Sequence, residues 1–214
     1  MTRVKCRYIL PIGVDYRGGR GPVQHAMFIP DCQATLARSA AGIPTVPLFG
    51  FGMGLGPPLA AEVLANSGID FVMIDTQHGS RGADSTRMAL AAVAAGSATP
   101  MARVAANDYT LIGRLLEEGA MGIVVPMVHT PGSAVAAARA CRFPPQGQRS
   151  WGAAMALGDD YKEQINEQVF LAAQIESTVA VENAEAIMAT PGVDGCWVGP
   201  ADLALSMGIT PERC

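Results

Sequence analysis

Residues 119–140 read GAMGIVVPMVHTPGSAVAAARA and show the unit from which this chain is built. The apolar run Ile123–Val128 has the length of a β-strand. It is continuous rather than alternating, which is typical of a parallel strand covered on both faces. The Ala-rich stretch Pro131–Ala140 has the length of a helix, and proline suits a first helical turn. The segment predicts a strand followed by a helix.

This strand–helix unit recurs six times between residues 45 and 208. The predicted strands are Val46–Phe51, Phe71–Ile74, Met101–Val104, Ile123–Val128, Val169–Ile175 and Gly195–Val198. The predicted helices are Pro57–Asn66, Asp84–Ala95, Tyr109–Glu118, Pro131–Ala140, Val179–Ala189 and Ala201–Met207. Asn107 and Asp108 can cap the third helix, and Gly119 can close it. Repeated units of this kind indicate a parallel α/β fold. A closed eight-unit barrel takes about 250 residues. The periodicity therefore leaves two forms open, an open six-stranded sheet and a barrel without its last two units.

The composition predicts a folded domain, because 50% of the 214 residues are hydrophobic and only 16% are charged. We divide the chain into an irregular N-terminal extension, residues 1–33, and an α/β domain, residues 34–214. The net charge of −4 disfavours a nucleic-acid partner, and no apolar run reaches the length of a membrane span. Five cysteines without a CxxC pair favour a reducing compartment. We expect a cytoplasmic protein, although the basic N-terminal residues leave organellar targeting open.

Polar residues cluster where the predicted strands end, the edge at which parallel α/β folds build their sites. Glu176 and Asp202 follow neighbouring strands, and two carboxylates there can chelate one hard divalent cation such as Mg²⁺ or Mn²⁺. Gln174 lies on the same strand face as Glu176 and can reach the same site. The alternative is a helix-capping aspartate and an ordinary surface glutamate.

A second group of polar residues follows the second and third predicted strands. Asp75 and His78 are three residues apart, and a carboxylate beside an imidazole can form a proton-transfer dyad. Arg103 ends an apolar strand, where it can bind a substrate anion or pair with Asp75. His129 follows the fourth strand and is a weaker candidate.

The chain resembles the HpcH/HpaI aldolase/citrate lyase family, in its metal-dependent 2-oxo acid aldolase branch that includes relatives similar to macrophomate synthase. The resemblance covers about residues 34–210 and rests on six ordered blocks: FVMIDTQHG (71–79), ARV with ND (102–108), GAMGIVVPMV (119–128), RFPPQGQRSWG (142–152), QIES (174–177) and PGVDGCWVGPADLALSMG (191–208). Gln77 stands where many members carry glutamate. The match ends after six units, and residues 1–33 are unmatched.

The resemblance implies a (β/α)8 TIM-type barrel, here apparently truncated after six units. It implies a divalent cation, Mg²⁺ or Mn²⁺ with Co²⁺ as a further candidate, held by Glu176 and Asp202. Arg103, His78 and Asp75 would be catalytic. The remaining implied residues would bind the substrate: Gln174, Ser177, Gly199, Pro200 and Ala201.

The resemblance also implies the reaction, in which a 4-hydroxy-2-oxo acid is cleaved to pyruvate and an aldehyde through a metal-bound enolate. A homo-oligomer, trimeric or hexameric, is implied as well. Only Lys5 and Lys162 are present, and neither ends a strand, which independently disfavours an imine route. Two alternatives stay open: a non-catalytic remnant or subunit-binding fragment of such an aldolase, and an oxaloacetate-type decarboxylase on the same site.

Overall fold

The structure is a computed structural model that describes residues 48–152 and 161–210. The predicted extension, residues 1–33, lies outside the described residues. The six strands are β1 (Gly50–Met53), β2 (Phe71–Asp75), β3 (Thr99–Arg103), β4 (Gly122–Val125), β5 (Phe170–Ile175) and β6 (Gly195–Val198). The helices are α1 (Pro58–Ala65), α2 (Ala83–Ala94), α3 (Tyr109–Glu117), α4 (Pro131–Cys141), α5 (Tyr161–Gln168), α6 (Thr178–Glu182), α7 (Ala184–Met188) and α8 (Pro200–Ser206).

The strands are all parallel and lie side by side in their order along the chain. A doubly wound sheet would reverse this order at a switch point, whereas a (β/α)8 barrel does not. The six strands thus form a curled half-barrel of the TIM type, which confirms the predicted fold class.

The two faces of the sheet pack against different partners. Val72, Ile74 and Ile123 belong to a large core that also contains helix residues such as Leu90 and Ile112. The opposite face is lined by side chains from the strands themselves. That smaller cluster contains Phe71, Met73, Met101, Val124, Phe170, Ala172 and Trp197. We call it the inner face, because it corresponds to the interior of a barrel.

Strand β1 consists of Gly50–Met53 within a glycine-rich stretch, so residues 48 and 49 of the predicted strand precede it. Residues 46 and 47 of that prediction lie outside the described residues. A Cβ on Gly50 would lie 2.1 Å from the ring of Phe71, whereas one on Gly52 would lie at an ordinary contact distance of 3.4 Å from the methyl group of Met73. The Phe71 ring therefore fills the space of a side chain at position 50, so glycine fits there although it is a poor strand former.

Other boundaries follow local signals. Strand β4 ends at Val125 rather than Val128, because Pro126 has no N–H to donate and Met127 adopts a φ of 54°. The helix predicted over 179–189 is divided into α6 and α7 at Asn183. Helix α5 was not predicted.

Two predicted helix signals are confirmed at α3. The side chain of Asp108 accepts hydrogen bonds from the N–H groups of Thr110 and Leu111, and Gly119 follows the helix with a φ of 103°. Within residues 48–152 and 161–210, no helix combines the length and apolar character that a bilayer crossing requires.

Candidate active site

The predicted polar residues of three strands share the inner face. Side chains alternate along a strand, so Asp75 lies on the same face as Met73, Arg103 on that of Met101, and Gln174 on that of Ala172. Glu176 continues this alternation just after β5. All of these positions are at the carboxyl-terminal edge of the sheet, where barrels of this type build their sites.

Asp75 and Arg103 form an ion pair across neighbouring strands. The parallel register places the two residues directly opposite each other. Arg103 donates from Nε to Oδ1 of Asp75 at 3.0 Å and from Nη2 to Oδ2. Burial acts to raise the pKa of Asp75, but the donors from Arg103 and from the N–H groups of His78 and Gln77 hold this pKa below its ordinary value. Asp75 is therefore an anion at neutral pH, and Arg103 is its main partner.

His78 lies beside this ion pair but is joined to Asp75 through its main chain. Its backbone N–H donates to Oδ1 of Asp75 at 3.3 Å, next to the N–H of Gln77 at 2.9 Å. The imidazole is exposed. The direct side-chain dyad between Asp75 and His78 is thus replaced by the Asp75–Arg103 pair, and a proton-transfer role for His78 stays a prediction.

Glu176 is a buried carboxylate with neutral donors around it. It is only 1% exposed, and its Oε1 accepts from the N–H of Met127 at 2.7 Å. Its Oε2 accepts from Nε2 of Gln174, whose own Oε1 is buried and has no hydrogen-bond partner among residues 48–152 and 161–210. Among the described residues, no lysine, arginine or histidine forms an ion pair with Glu176. A buried anion without a countercharge is costly, which makes this the part of the site that most needs a cation.

The β6–α8 turn lies directly against this carboxylate. The N–H of Gly199 donates to the carbonyl of Ile175 at 3.1 Å. A Cβ on Gly199 would lie 2.5 Å from Oε2 of Glu176 and 3.0 Å from Nε2 of Gln174. Asp202 follows in the first turn of α8 and is half-buried. The structure thus brings Gly199 against Glu176, and Pro200, Ala201 and Asp202 follow Gly199 in the first turn of α8.

Glu176 and Asp202 are the two carboxylates that the sequence predicts as cation ligands at this edge. No group of three or more His, Cys, Asp or Glu side chains with the spacing of a metal site occurs within the described parts of the chain. Two protein carboxylates with further oxygen ligands from solvent and substrate would still be typical of Mg²⁺, which keeps several non-protein ligands.

A further connection joins the loop after β4 to the start of α6. Nδ1 of His129 lies 2.7 Å from Oγ of Ser177, and Nδ2 of Asn183 donates to the carbonyl of His129 at 2.9 Å. Ser177 also caps α6 by accepting from the N–H of Ala180. Sequence reasoning missed Met127 and Asn183. Met127 acts through its main chain, so no residue type signals it, and Pro126 is the only local hint that the strand stops here.

Comparison with known proteins agrees with this geometry. The family model described as HpcH/HpaI aldolase/citrate lyase matches residues 52–213. A hydroxypyruvate/pyruvate aldolase of Deinococcus radiodurans is 39% identical over 168 residues, which cover 76% of this chain and 61% of the relative. A 4-hydroxy-2-oxo-heptane-1,7-dioate aldolase of Escherichia coli is 36% identical and covers 76% of this chain and 64% of the relative. The chain therefore spans less than two thirds of the length of these curated relatives.

Solved structures give the same result. A family protein from Burkholderia cenocepacia superposes with a TM-score of 0.73 at 39% identity, covering 77% of this chain and 68% of the other. Macrophomate synthase superposes with a TM-score of 0.69 at 30% identity, covering 76% and 59%. The resemblance predicted from the six sequence blocks is confirmed, and the chain belongs to the HpcH/HpaI aldolase/citrate lyase family.

Proposed function

We propose that this chain carries the site of a divalent-cation-dependent aldolase that cleaves 4-hydroxy-2-oxo acids to pyruvate and an aldehyde. The names of the relatives support the aldolase class. The observation that carries the cation dependence is the Glu176 carboxylate, which is buried on the inner face without a countercharge among the described residues.

The residues around Glu176 fit a divalent cation. Glu176 and Asp202 would supply carboxylate oxygens, the ligands that Mg²⁺ and Mn²⁺ prefer. Gln174 offers a buried amide oxygen that has no partner in the described part of the chain, and Gly199 has no side chain that would fill the space beside the carboxylate. When bound, the cation would act as a Lewis acid toward the 2-oxo group of the substrate.

Arg103 would stabilise the negative charge that develops as the carbon–carbon bond breaks. Two of its nitrogens bind Asp75, and its Nη1 makes no hydrogen bond to the described residues. That remaining donor can approach an enolate oxygen while Asp75 fixes the plane of the guanidinium. Asp75 is thus proposed to orient Arg103 in addition to its predicted role beside His78.

His78 would accept the proton of the C4 hydroxyl. The C3–C4 bond then breaks, its electron pair forms the enolate, and the C4 carbon leaves as the aldehyde. Protonation at C3 gives pyruvate. The exposed imidazole is available for this step because none of its atoms is committed to a partner in the described residues.

The remaining substrate contacts follow from the β5 and β6 ends. We propose that Gln174, Ser177 and the main chain of Gly199, Pro200 and Ala201 hold the carboxylate of the 2-oxo acid, since Gln174 and Gly199 lie against Glu176 and the other three residues follow Glu176 or Gly199 in the chain. We further propose a homo-oligomer.

The experiment measures pyruvate release from a 4-hydroxy-2-oxo acid after treatment with EDTA and again after adding Mn²⁺ or Mg²⁺. We expect activity to disappear and then return. Glu176→Gln preserves the shape of the side chain but removes its charge, and it should raise the Kd for Mn²⁺ by more than about 100-fold, beyond the effect of neighbouring residues. Glu182→Gln is the matched control, because Glu182 is an exposed glutamate on α6.

The outcomes separate the alternatives. Activity that survives thorough chelation would remove the cation from the reaction. Release of CO₂ from oxaloacetate with no aldehyde from the hydroxy acid would identify the decarboxylase instead. A chain that melts cooperatively, binds no Mn²⁺ and releases no pyruvate would be the non-catalytic remnant.

A further inference from the structure

The loop between β4 and α4 has a backbone conformation that its own sequence does not favour. Met127 has a φ of 54°, the one positive φ at a non-glycine residue in the described chain. A residue with a Cβ is unfavourable in this region, and such conformations persist only where surrounding contacts impose them. The contacts that hold this loop should therefore matter for what the loop does.

The consequence of this conformation is a hydrogen bond to Glu176. The N–H of Met127 donates to Oε1 of Glu176 at 2.7 Å, while Oε2 lies between Gln174 and Gly199. The Met127 N–H thus fixes the direction of Oε1, while Gln174 binds the other oxygen.

His129 connects the same loop to the two residues that flank α6. Its Nδ1 lies 2.7 Å from Oγ of Ser177, the residue after Glu176, and this bond forms with either tautomer. Its carbonyl accepts from Nδ2 of Asn183 at 2.9 Å. Residues 127 and 129 therefore reach the same short segment, 176–183, from one loop.

We propose that His129 is a positioning residue, which keeps the N–H of Met127 directed at Glu176 and so sets the cation affinity of the site. We call the contacts of His129 with Ser177 and Asn183 the clamp. The effect on cation affinity rests on the proposed function, whereas the existence of the clamp does not. Partners that orient a metal ligand typically contribute 10–100-fold to affinity. His129 makes no hydrogen bond to Glu176 itself, so it would act entirely through Met127 and Ser177.

The test compares wild type with His129→Ala, His129→Asn and Asn183→Ala, using MnCl₂ alone as the probe. Asparagine can place a polar atom near the position of Nδ1, so it should keep the bond to Ser177. Thr130→Ala is the matched control: it removes the N-cap of α4 one residue away, where Thr130 accepts from the N–H of Ser133 at 3.2 Å, without touching the clamp.

Two quantities are measured, the exchange rate of the Met127 amide hydrogen in metal-free protein and the Kd for Mn²⁺ by electron paramagnetic resonance. We expect His129→Ala and Asn183→Ala to speed this exchange and to raise the Kd about 10-fold. For His129→Asn, the exchange rate and the Kd should stay within about threefold of the wild-type values, which distinguishes this variant from the two that lose affinity. Thr130→Ala should lower Tm but leave both quantities unchanged.

Two results would overturn the proposal. One is wild-type exchange at Met127 in both His129→Ala and Asn183→Ala. The other is equal loss of Mn²⁺ affinity in Thr130→Ala, which would show a general effect of loop stability. If wild type itself binds no Mn²⁺, the proposed function fails, and the exchange rates still decide whether His129 holds the loop.

Discussion

Gly199→Ala should disturb the site through a single methyl group. The added Cβ would lie 2.5 Å from Oε2 of Glu176, 2.7 Å from its Cβ and 3.0 Å from Nε2 of Gln174. The contact with the Cβ decides the outcome, because this atom is anchored to the backbone and cannot rotate away. Ordinary carbon–carbon contacts are about 3.5 Å, so the two segments must separate by roughly 1 Å.

The expected magnitude follows from this contact. Overpacking of this kind costs about 1–3 kcal/mol, which lowers Tm by about 2–4 °C per kcal/mol in a domain of this size. Backbone strain adds nothing, because Gly199 has φ −103° and ψ 86°, which alanine can adopt. Displacement of Glu176 should also raise the Kd for Mn²⁺ by about 10–100-fold.

The assay is a thermal melt together with a Mn²⁺ titration, and Gly113→Ala serves as the control. Gly113 lies within α3 and has nothing within 4 Å of an added Cβ. Alanine there should stabilise the protein by about 0.5–1 kcal/mol and leave the Kd unchanged. A Gly199→Ala protein with wild-type Tm and wild-type Mn²⁺ affinity would show that the space beside Glu176 accommodates a methyl group, which would contradict the packing described above.

Three further predictions concern Asp75, Arg103 and Cys141. Because the folded-state pKa of Asp75 is lowered, its stabilisation is complete above the unfolded pKa of about 3.9 and disappears as pH falls through the folded value. Urea titrations from about pH 5 downward should therefore show a larger loss of unfolding free energy in wild type than in Asp75→Asn, and equal slopes would contradict the ion pair. Arg103→Ala should cost about 3 kcal/mol at pH 7, since it leaves a buried carboxylate unpaired. Cys141 is buried, which raises the pKa of its thiol to about 12. Mass-spectrometric mapping after treatment with iodoacetamide should find Cys141 unmodified in native protein and modified in urea. Rapid labelling of native protein would show that α4, the helix of Cys141, opens to solvent.

The parallel α/β class could be predicted from the sequence because its signals are local, whereas the barrel form was implied by the family resemblance. Continuous apolar runs, alternating with helical stretches, identify parallel strands and helices wherever they pack. Capping by Asp108 and termination at Gly119 depend on residues next to the helix, and both are confirmed. The prediction for β1 included residues 48 and 49, which precede the strand, because the glycine at position 50 is explained only by the ring of Phe71 on the next strand.

The candidate site, like the fold, could be predicted from the sequence only in part. The sequence by itself determined which polar residues reach the carboxyl-terminal edge of the sheet, since the order of strand, loop and helix fixes that edge. Only the tertiary structure decided their partners: Asp75 pairs with Arg103 rather than with the imidazole of His78, and Glu176 accepts from the main chain of Met127. The physical reason is that strand ends are local properties of the chain, whereas hydrogen-bond partners depend on distant residues. The register of β2 and β3 pairs Asp75 with a residue 28 positions away, and the loop after β4 brings Met127 to Glu176 across 49 positions.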